Sequence, residues 1–209
     1  MKTGGRVNTI LFDLGTVLID FDHMAAARAV AGLTSRPPKE IYDLFFDSPL
    51  TRSFEEGKIS AREFFSEVKS LLKLDITFDR FAAIWTDIFF ISPHNRETLR
   101  LAGALRKRYR VCMLSNINTL HLEYCRTRFA PVFKPFHSVF ASCELGFIKP
   151  DPRIYKKVLV LLKAEPGEVF YTDDRKELVE QAGKMGFKAS VYSGAGQLRL
   201  DLARRGIVC

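Results

Sequence analysis

Cysteine is scarce in this chain of 209 residues, and long apolar runs are missing altogether. Cys112, Cys125, Cys143 and Cys209 show no paired metal-type spacing, and Cys112 lies in an apolar, strand-like run. They read as reduced thiols used in packing, which suits the cytosol. No segment approaches the ~20 apolar residues of a membrane span. The stretch Met1-Lys2-Thr3-Gly4-Gly5-Arg6 lacks the apolar core of a signal peptide. A cytoplasmic chain with no membrane partner is expected. Neither an internal repeat nor a low-complexity tract interrupts it.

What is present is ordinary globular material: 47% apolar and 27% charged residues, enough to bury a core. That suits one domain, or a domain with an inserted subdomain. The 32 Lys and Arg against 24 Asp and Glu give a net charge of +8, which favours anionic partners in general. The charges are scattered, however, and the densest cluster, Arg106-Lys107-Arg108-Tyr109-Arg110, reads as a helix end before a strand, where cations complement the helix dipole. No nucleic-acid partner is expected. A phosphorylated metabolite fits the charge equally well.

Short apolar runs bounded by turn signals recur at Thr9 to Phe12, Val111 to Leu114, Ser138 to Ala141, Val169 to Thr172 and Lys188 to Tyr192, with helical patterns between the later ones. This alternation predicts an α/β fold with a parallel sheet. From Phe21 to Ile91 the apolar residues instead recur at helical spacing: Ile41, Leu44 and Phe45, then Phe64, Phe65, Val68, Leu71 and Leu72, then Phe81, Ile84, Trp85 and Ile88. The expectation is a core of residues 1–20 and 92–209 carrying an inserted helical cap of 21–91. Ser35-Arg36-Pro37-Pro38 suits a helix start, and Ser60 with Glu63 three residues on reads as a capping box. The cap aromatics read as core, although exposed ones would support a homodimer as well as a monomer. Such an insert can close over the sheet as a lid. The segment Arg52 to Ile59 is the part expected to face the reaction centre.

Four strand-like runs end in polar residues of complementary type: Asp13, Ser115-Asn116, Lys149, and Asp173-Asp174. Singly, each has a bland reading as a cap, a turn or a solvated charge. As an ordered set they suit phosphoryl transfer. Asp13 and one of the Asp173-Asp174 pair could hold a Mg²⁺ ion that keeps several waters. Asp13 could attack phosphorus to give an aspartyl phosphate. Ser115, nearby backbone amides and Lys149 would stabilise the phosphoryl oxygens.

The series Phe12-Asp13-Leu14-Gly15-Thr16-Val17-Leu18, Leu114-Ser115-Asn116, Lys149-Pro150-Asp151-Pro152-Arg153-Ile154-Tyr155 and Phe170-Tyr171-Thr172-Asp173-Asp174-Arg175 resembles the haloacid dehalogenase-like hydrolase superfamily, in order and over nearly the whole chain. With Phe54-Glu55-Glu56-Gly57-Lys58-Ile59-Ser60, it is similar to the helical-cap sugar-phosphate phosphatases of the α-glucose-1-phosphate type. The resemblance implies a Rossmann-like core with a helical cap, and a Mg²⁺-dependent phosphatase of a small phosphorylated metabolite. It implies Asp13 as nucleophile with Lys149 restraining its charge. It implies Asp13, the Gly15 carbonyl and Asp173 as Mg²⁺ ligands with Asp174 beside them, and Thr16, Ser115, Asn116 and Lys149 around the phosphate. Many relatives have Asn where this chain has Leu178.

Two residues past Asp13, where a phosphatase of this kind usually carries an Asp as acid and base, the chain has Gly15. A positioned acid typically contributes ~10²–10⁴-fold in rate. Asp20, Asp22, His23 or a water are candidate replacements, unless the substrates have good leaving groups. A 2-haloacid dehalogenase also lacks that Asp, but works without a metal, and Asp173-Asp174 would then repel uncompensated. A phosphometabolite sensor without turnover is the remaining alternative.

Overall fold

Alternating side chains on five short strands build a sheet covered on both faces. The computed structural model describes residues 5–46 and 48–208. Strand β1 (Thr9–Phe12) leads through a tight turn to β2 (Asp20–Phe21). Five helices follow: α1 (His23–Ala31), α2 (Pro38–Phe46), α3 (Pro49–Glu55), α4 (Ala61–Leu72) and α5 (Phe78–Thr86). The chain returns through β3 (Phe89–Phe90), which pairs antiparallel with β2. Next come α6 (Pro93–Leu105), β4 (Arg110–Ser115), α7 (Thr119–Arg128), α8 (Ala130–Phe133), β5 (Ser138–Ala141), α9 (Ser142–Leu145) and α10 (Pro152–Leu162). Strand β6 (Val169–Asp173), α11 (Lys176–Lys184), β7 (Lys188–Val191) and α12 (Ala195–Ala203) complete it.

The large sheet is parallel throughout, in the order β5-β4-β1-β6-β7, with β1 central. This is the doubly wound, Rossmann-like order, in which the chain winds outward in both directions from β1. Period-two alternation serves the two faces. Ile10, Phe12, Val111, Met113 and Phe170 point to a cluster with Leu101 of α6 and Leu198 of α12. Leu11, Cys112, Leu114, Val169 and Tyr171 point to one with Ile154 and Val158 of α10 and Ala182 of α11. Cys112 and Cys125 are buried free thiols and Cys143 is half-buried, as packing roles require. Cys209, like Met1 to Gly4, lies outside the described residues. No helix among the described residues is long and apolar enough to cross a membrane.

Helices α1 to α5 have their own apolar cluster. Trp85 is its centre, with ring centroids of Phe45, Phe46, Phe64 and Phe81 at 5.1, 5.3, 5.0 and 5.6 Å. Such aromatic pairs add ~0.5–1.5 kcal/mol each beyond area burial. Ser60 and Glu63 form a reciprocal capping box on α4, and α2 starts at Pro38. Leu71 departs from the helical-spacing expectation: it is exposed, because the buried stripe of α4 runs through Phe64, Val68 and Leu72. The inserted segment is also not helical throughout, since the β2–β3 ribbon forms its stem.

Candidate active site

Parallel register delivers the polar strand ends to one place. Phe12 is level with Met113 on one side and with Thr172 on the other. Asp13 therefore leaves the sheet level with Leu114 and Asp173, and its N–H donates to the Thr172 carbonyl at 2.9 Å. Ser115 follows one residue on. This is the carboxyl edge beside the switch of winding direction, where open α/β sheets bind ligands.

Lys149 does not end a strand as the sequence suggested: the run before it is irregular chain following α9, and the turn at Lys149 brings the side chain back to be buried among these ends. Its Nζ donates to Asp13 Oδ1 at 2.6 Å, to Asp173 Oδ2 at 2.7 Å and to the Leu114 carbonyl at 3.1 Å. Burial alone would lower the lysine, but the Asp13 and Asp173 carboxylates hold it above its ordinary value. Asp173 also accepts from the Tyr171 hydroxyl and, at 2.9 Å, from the Arg175 N–H. Asp13, Asp173 and Asp174 bring ligand atoms within 4.8 Å of one another. Burial pushes Asp13 up despite Lys149, with Asp173 and Asp174 adding to the rise; burial and then Asp173 raise Asp174. One ammonium cannot offset three carboxylates, and hard oxygen donors with excess negative charge fit a Mg²⁺ ion.

Around this centre the predicted residues divide by what their atoms do. Ser115 is buried at the end of β4. The Asn116 side chain is committed elsewhere: its Nδ2 donates to the Lys149 carbonyl at 2.9 Å and its Oδ1 accepts from the Lys149 N–H at 2.7 Å. It positions the lysine, so its backbone amide is the group left for a ligand. Thr16 has a left-handed backbone, φ 61°, a strained state for a β-branched residue. Its N–H donates to Ile19 at 2.8 Å, and its carbonyl accepts from Asn95 at 3.0 Å, so the turn is held from both sides. Leu178 lines the cavity with an apolar side chain.

At Gly15 the structure supplies a steric reason for the missing acid. A Cβ there would lie 2.7 Å from Phe21 Cε1. The ring of Phe21 fills the space into which a side chain would project. The candidate replacements fare differently. Asp22 caps α1 through the Ala25 N–H and pairs with Arg28 at 2.7 Å, which keeps its carboxyl below the usual range despite some desolvation. Asp20 accepts from Asn95 at 3.3 Å and is not among the residues lining the cavity. His23 does line it, but burial holds its imidazole down to about 4, so at neutral pH the ring is uncharged and a poor proton donor.

The cavity above Asp13 has a volume of about 230 Å³. Its floor is polar, from Asp13, Ser115, Lys149, Asp173 and Asp174; its roof carries Phe21, His23, Phe46, Phe89, His121 and Glu55. Of the segment Arg52 to Ile59, Glu55 alone lines it, and it ends a helix rather than sitting in a loop. Arg175, Phe46, Phe89 and His121 carry no site role in the sequence reading. Only Arg175 had a usable signal, as the cation directly after the acid pair. His121 is placed by its bonds to the Trp85 carbonyl at 2.9 Å and to Asn118 at 3.1 Å.

A doubly wound sheet with a carboxylate-lysine cluster at its switch point, under a helical insertion, defines a hydrolase-type α/β enzyme. Residues 7–185 match the family model of haloacid dehalogenase-like hydrolases, and the chain belongs to that family. It is 28% identical over 201 residues to a D-ribitol-5-phosphate phosphatase of Bacteroides thetaiotaomicron, covering 94% of this chain and 97% of that one. The solved structure of a HAD family enzyme from the same organism, in complex with magnesium and inorganic phosphate, matches with a TM-score of 0.76 at 25% identity, over 88% of this chain and 93% of that one. A 2-haloacid dehalogenase from Pseudomonas syringae pv. Tomato DC3000 matches with a TM-score of 0.62 at 18% identity, over 95% of this chain and 99% of that one, a likeness of fold alone.

Proposed function

We propose that the protein is a Mg²⁺-dependent phosphatase that hydrolyses a small phosphorylated metabolite, a sugar or polyol phosphate, through an aspartyl phosphate on Asp13. The observation that carries this reading is the trio Asp13–Lys149–Asp173, a carboxylate at a strand end held 2.6 Å from a buried ammonium that a second carboxylate shares. Asp13 attacks phosphorus, and its orientation is fixed by Lys149. The Ser115 hydroxyl and the Asn116 backbone amide are the donors offered to the phosphoryl oxygens beside the Thr16 turn, and Lys149, whose three N–H groups are taken up by Asp13, Asp173 and the Leu114 carbonyl, adds positive charge. Asp13, the Gly15 carbonyl and Asp173, with Asp174 beside them, are the groups that would hold Mg²⁺. When bound, the ion supplies positive charge to the phosphate and removes the repulsion among the carboxylates. Residues 21–91 act as a cap that closes the cavity to bulk water and selects the organic part of the substrate. The full-length likeness to a ribitol-phosphate phosphatase supports the substrate class. The adjacent acids Asp173 and Asp174 favour this reading over halide displacement.

The direct test is p-nitrophenyl phosphate turnover by wild type and Asp13→Asn, with and without Mg²⁺, followed by a panel of sugar and polyol phosphates. Turnover is expected to require Mg²⁺ and to disappear in Asp13→Asn. Metal-independent turnover, or equal rates for both proteins, would overturn the proposal.

A further inference from the structure

We infer that Glu55, reaching into the cavity from the C-terminal end of α3, is the general acid and base that Gly15 does not provide. The inference rests on the phosphatase reading above and adds a catalytic residue to it.

Position comes first. Glu55 lines the same cavity as Asp13, Gly15 and Lys149. The end of α3 is pinned to the core there: Ser142 Oγ donates to the Glu55 carbonyl at 2.7 Å, and also ties to Ile117 beyond β4, accepting from its N–H at 2.9 Å. Two residues on, Gly57 has φ +67° and approaches the Cys143 carbonyl so closely that any Cβ would collide with it. The carboxyl is thus carried by a cap helix but held in register with the catalytic floor.

Its lack of structural employment is the second observation. Among the described residues the Glu55 carboxyl makes no hydrogen bond and no ion pair, although it is half-buried. Its neighbour Glu56 pairs with Arg52 at 3.3 Å and Lys58 at 2.5 Å. A half-buried carboxyl with no protein partner at a cavity wall is free to engage what enters the cavity. Of the groups proposed from the sequence, Asp22 is spent in a helix cap and does not line the cavity, while His23 lines it with an unpartnered Nδ1 but is a neutral ring and so a poor acid.

Charge tunes the group appropriately. Lys149 and Arg175 face it from the core and Glu56 from its own helix, while Asp13, Asp173, Asp174 and the neutral rings of His23 and His121 share the cavity. Burial outweighs the two cations and pushes the Glu55 carboxyl up to about 7, the range in which one group can both give and take a proton at neutral pH. In the first step the Asp13 carboxylate forms a bond to phosphorus, the bond from phosphorus to the ester oxygen breaks, and the Glu55 proton passes to that oxygen as alcohol leaves. In the second, water attacks phosphorus, its proton passes to the Glu55 carboxylate, and Asp13 is released with inorganic phosphate. Protons balance over the cycle.

The test compares phenyl phosphate with p-nitrophenyl phosphate in wild type and Glu55→Gln, following phenol release in single turnover and over many turnovers. Phenolate needs a proton more than nitrophenolate does. Glu55→Gln is expected to slow phenol release ~10²-fold or more, to spare the first nitrophenolate equivalent, and then to turn over slowly, giving a burst as water loses its base. Equal slowing of both first steps, or a raised KM with unchanged kcat, would overturn the role. Should Glu55→Gln fail to fold, the wild-type pH profile decides instead. The first-step rate with phenyl phosphate should fall as pH rises through about 7, with nitrophenyl phosphate lacking that limb. Identical profiles would overturn the role. If wild type shows no Mg²⁺-dependent release of nitrophenolate, the phosphatase reading itself falls.

Discussion

Asp13 and Glu55 are two carboxyls raised by the same cause, burial, and separated by their partners. Asp13 is clamped by Lys149 at 2.6 Å, while Glu55 feels Lys149 and Arg175 only at longer range. In the proposed mechanism the first serves as an oriented nucleophile and the second as a group that exchanges its proton. A stability consequence follows for Glu55. An unfolded Glu titrates near ~4.3, so between there and about 7 the folded chain binds more protons than the unfolded one. Stability attributable to this group therefore falls as pH rises through that window, and the full penalty is present above it. Glu55→Gln removes the penalty: it is expected to melt higher than wild type near pH ~8, by on the order of 2 kcal/mol, with the difference closing near pH ~4. Thermal melts at both pH values check this, and a pH-independent difference would contradict it. Asn116 likewise acts through its partners. Its residue type announced a polar site, but its side-chain amide serves the Lys149 backbone.

At the scale of elements, the β2–β3 ribbon shapes the site as much as any strand of the large sheet. Phe21 on β2 stacks near His23 at 4.5 Å and meets Phe89 of β3 at 6.3 Å, which sets its ring over Gly15. Gly15→Asp should therefore destabilise the chain. Phe21→Ala should relieve that cost, because the clashing atom belongs to a side chain rather than to backbone. Melting temperatures of the two single variants and the double are expected to give a coupling of ~0.5–3 kcal/mol; additive effects would mean that the ring does not govern this position. The caps of helices were readable in advance, since Ser60 and Glu63 are local and need only one turn of backbone. Phe21 over Gly15 was not readable. It depends on β3, which is almost seventy residues later and only two residues long.

For the molecule as a whole, the two apolar clusters of the large sheet and the one of the inserted helices meet at a cavity whose floor carries an excess of negative charge. A ligand that binds this floor in the folded state alone stabilises it by ~2.7 kcal/mol at one hundred times its dissociation constant. Mg²⁺ is accordingly expected to raise the melting temperature of wild type, with chelator reversing the shift, and to do so much less in Asp174→Asn. An equal shift in both would place the ion elsewhere. The five strand runs and their helical spacers were legible because a buried parallel sheet demands short, continuous apolar segments. Their ends were legible because polar residues there have no role in the core.

By itself the sequence determined the set of polar residues offered for chemistry: Asp13, Ser115 and Asp173-Asp174 stand at ordered strand ends with Lys149 in a turn between them, and apolar periodicity is a local property that survives without coordinates. Only the tertiary structure decided how that chemistry is completed. The parallel register brings Asp13 level with Asp173, the Phe21 ring occupies the room beside Gly15, and a hydrogen bond from Ser142 sets Glu55 over the floor. Each of these depends on pairing between segments distant along the chain, β1 with β6, β2 with β3 and α3 with α9, where packing rather than local preference selects the neighbour.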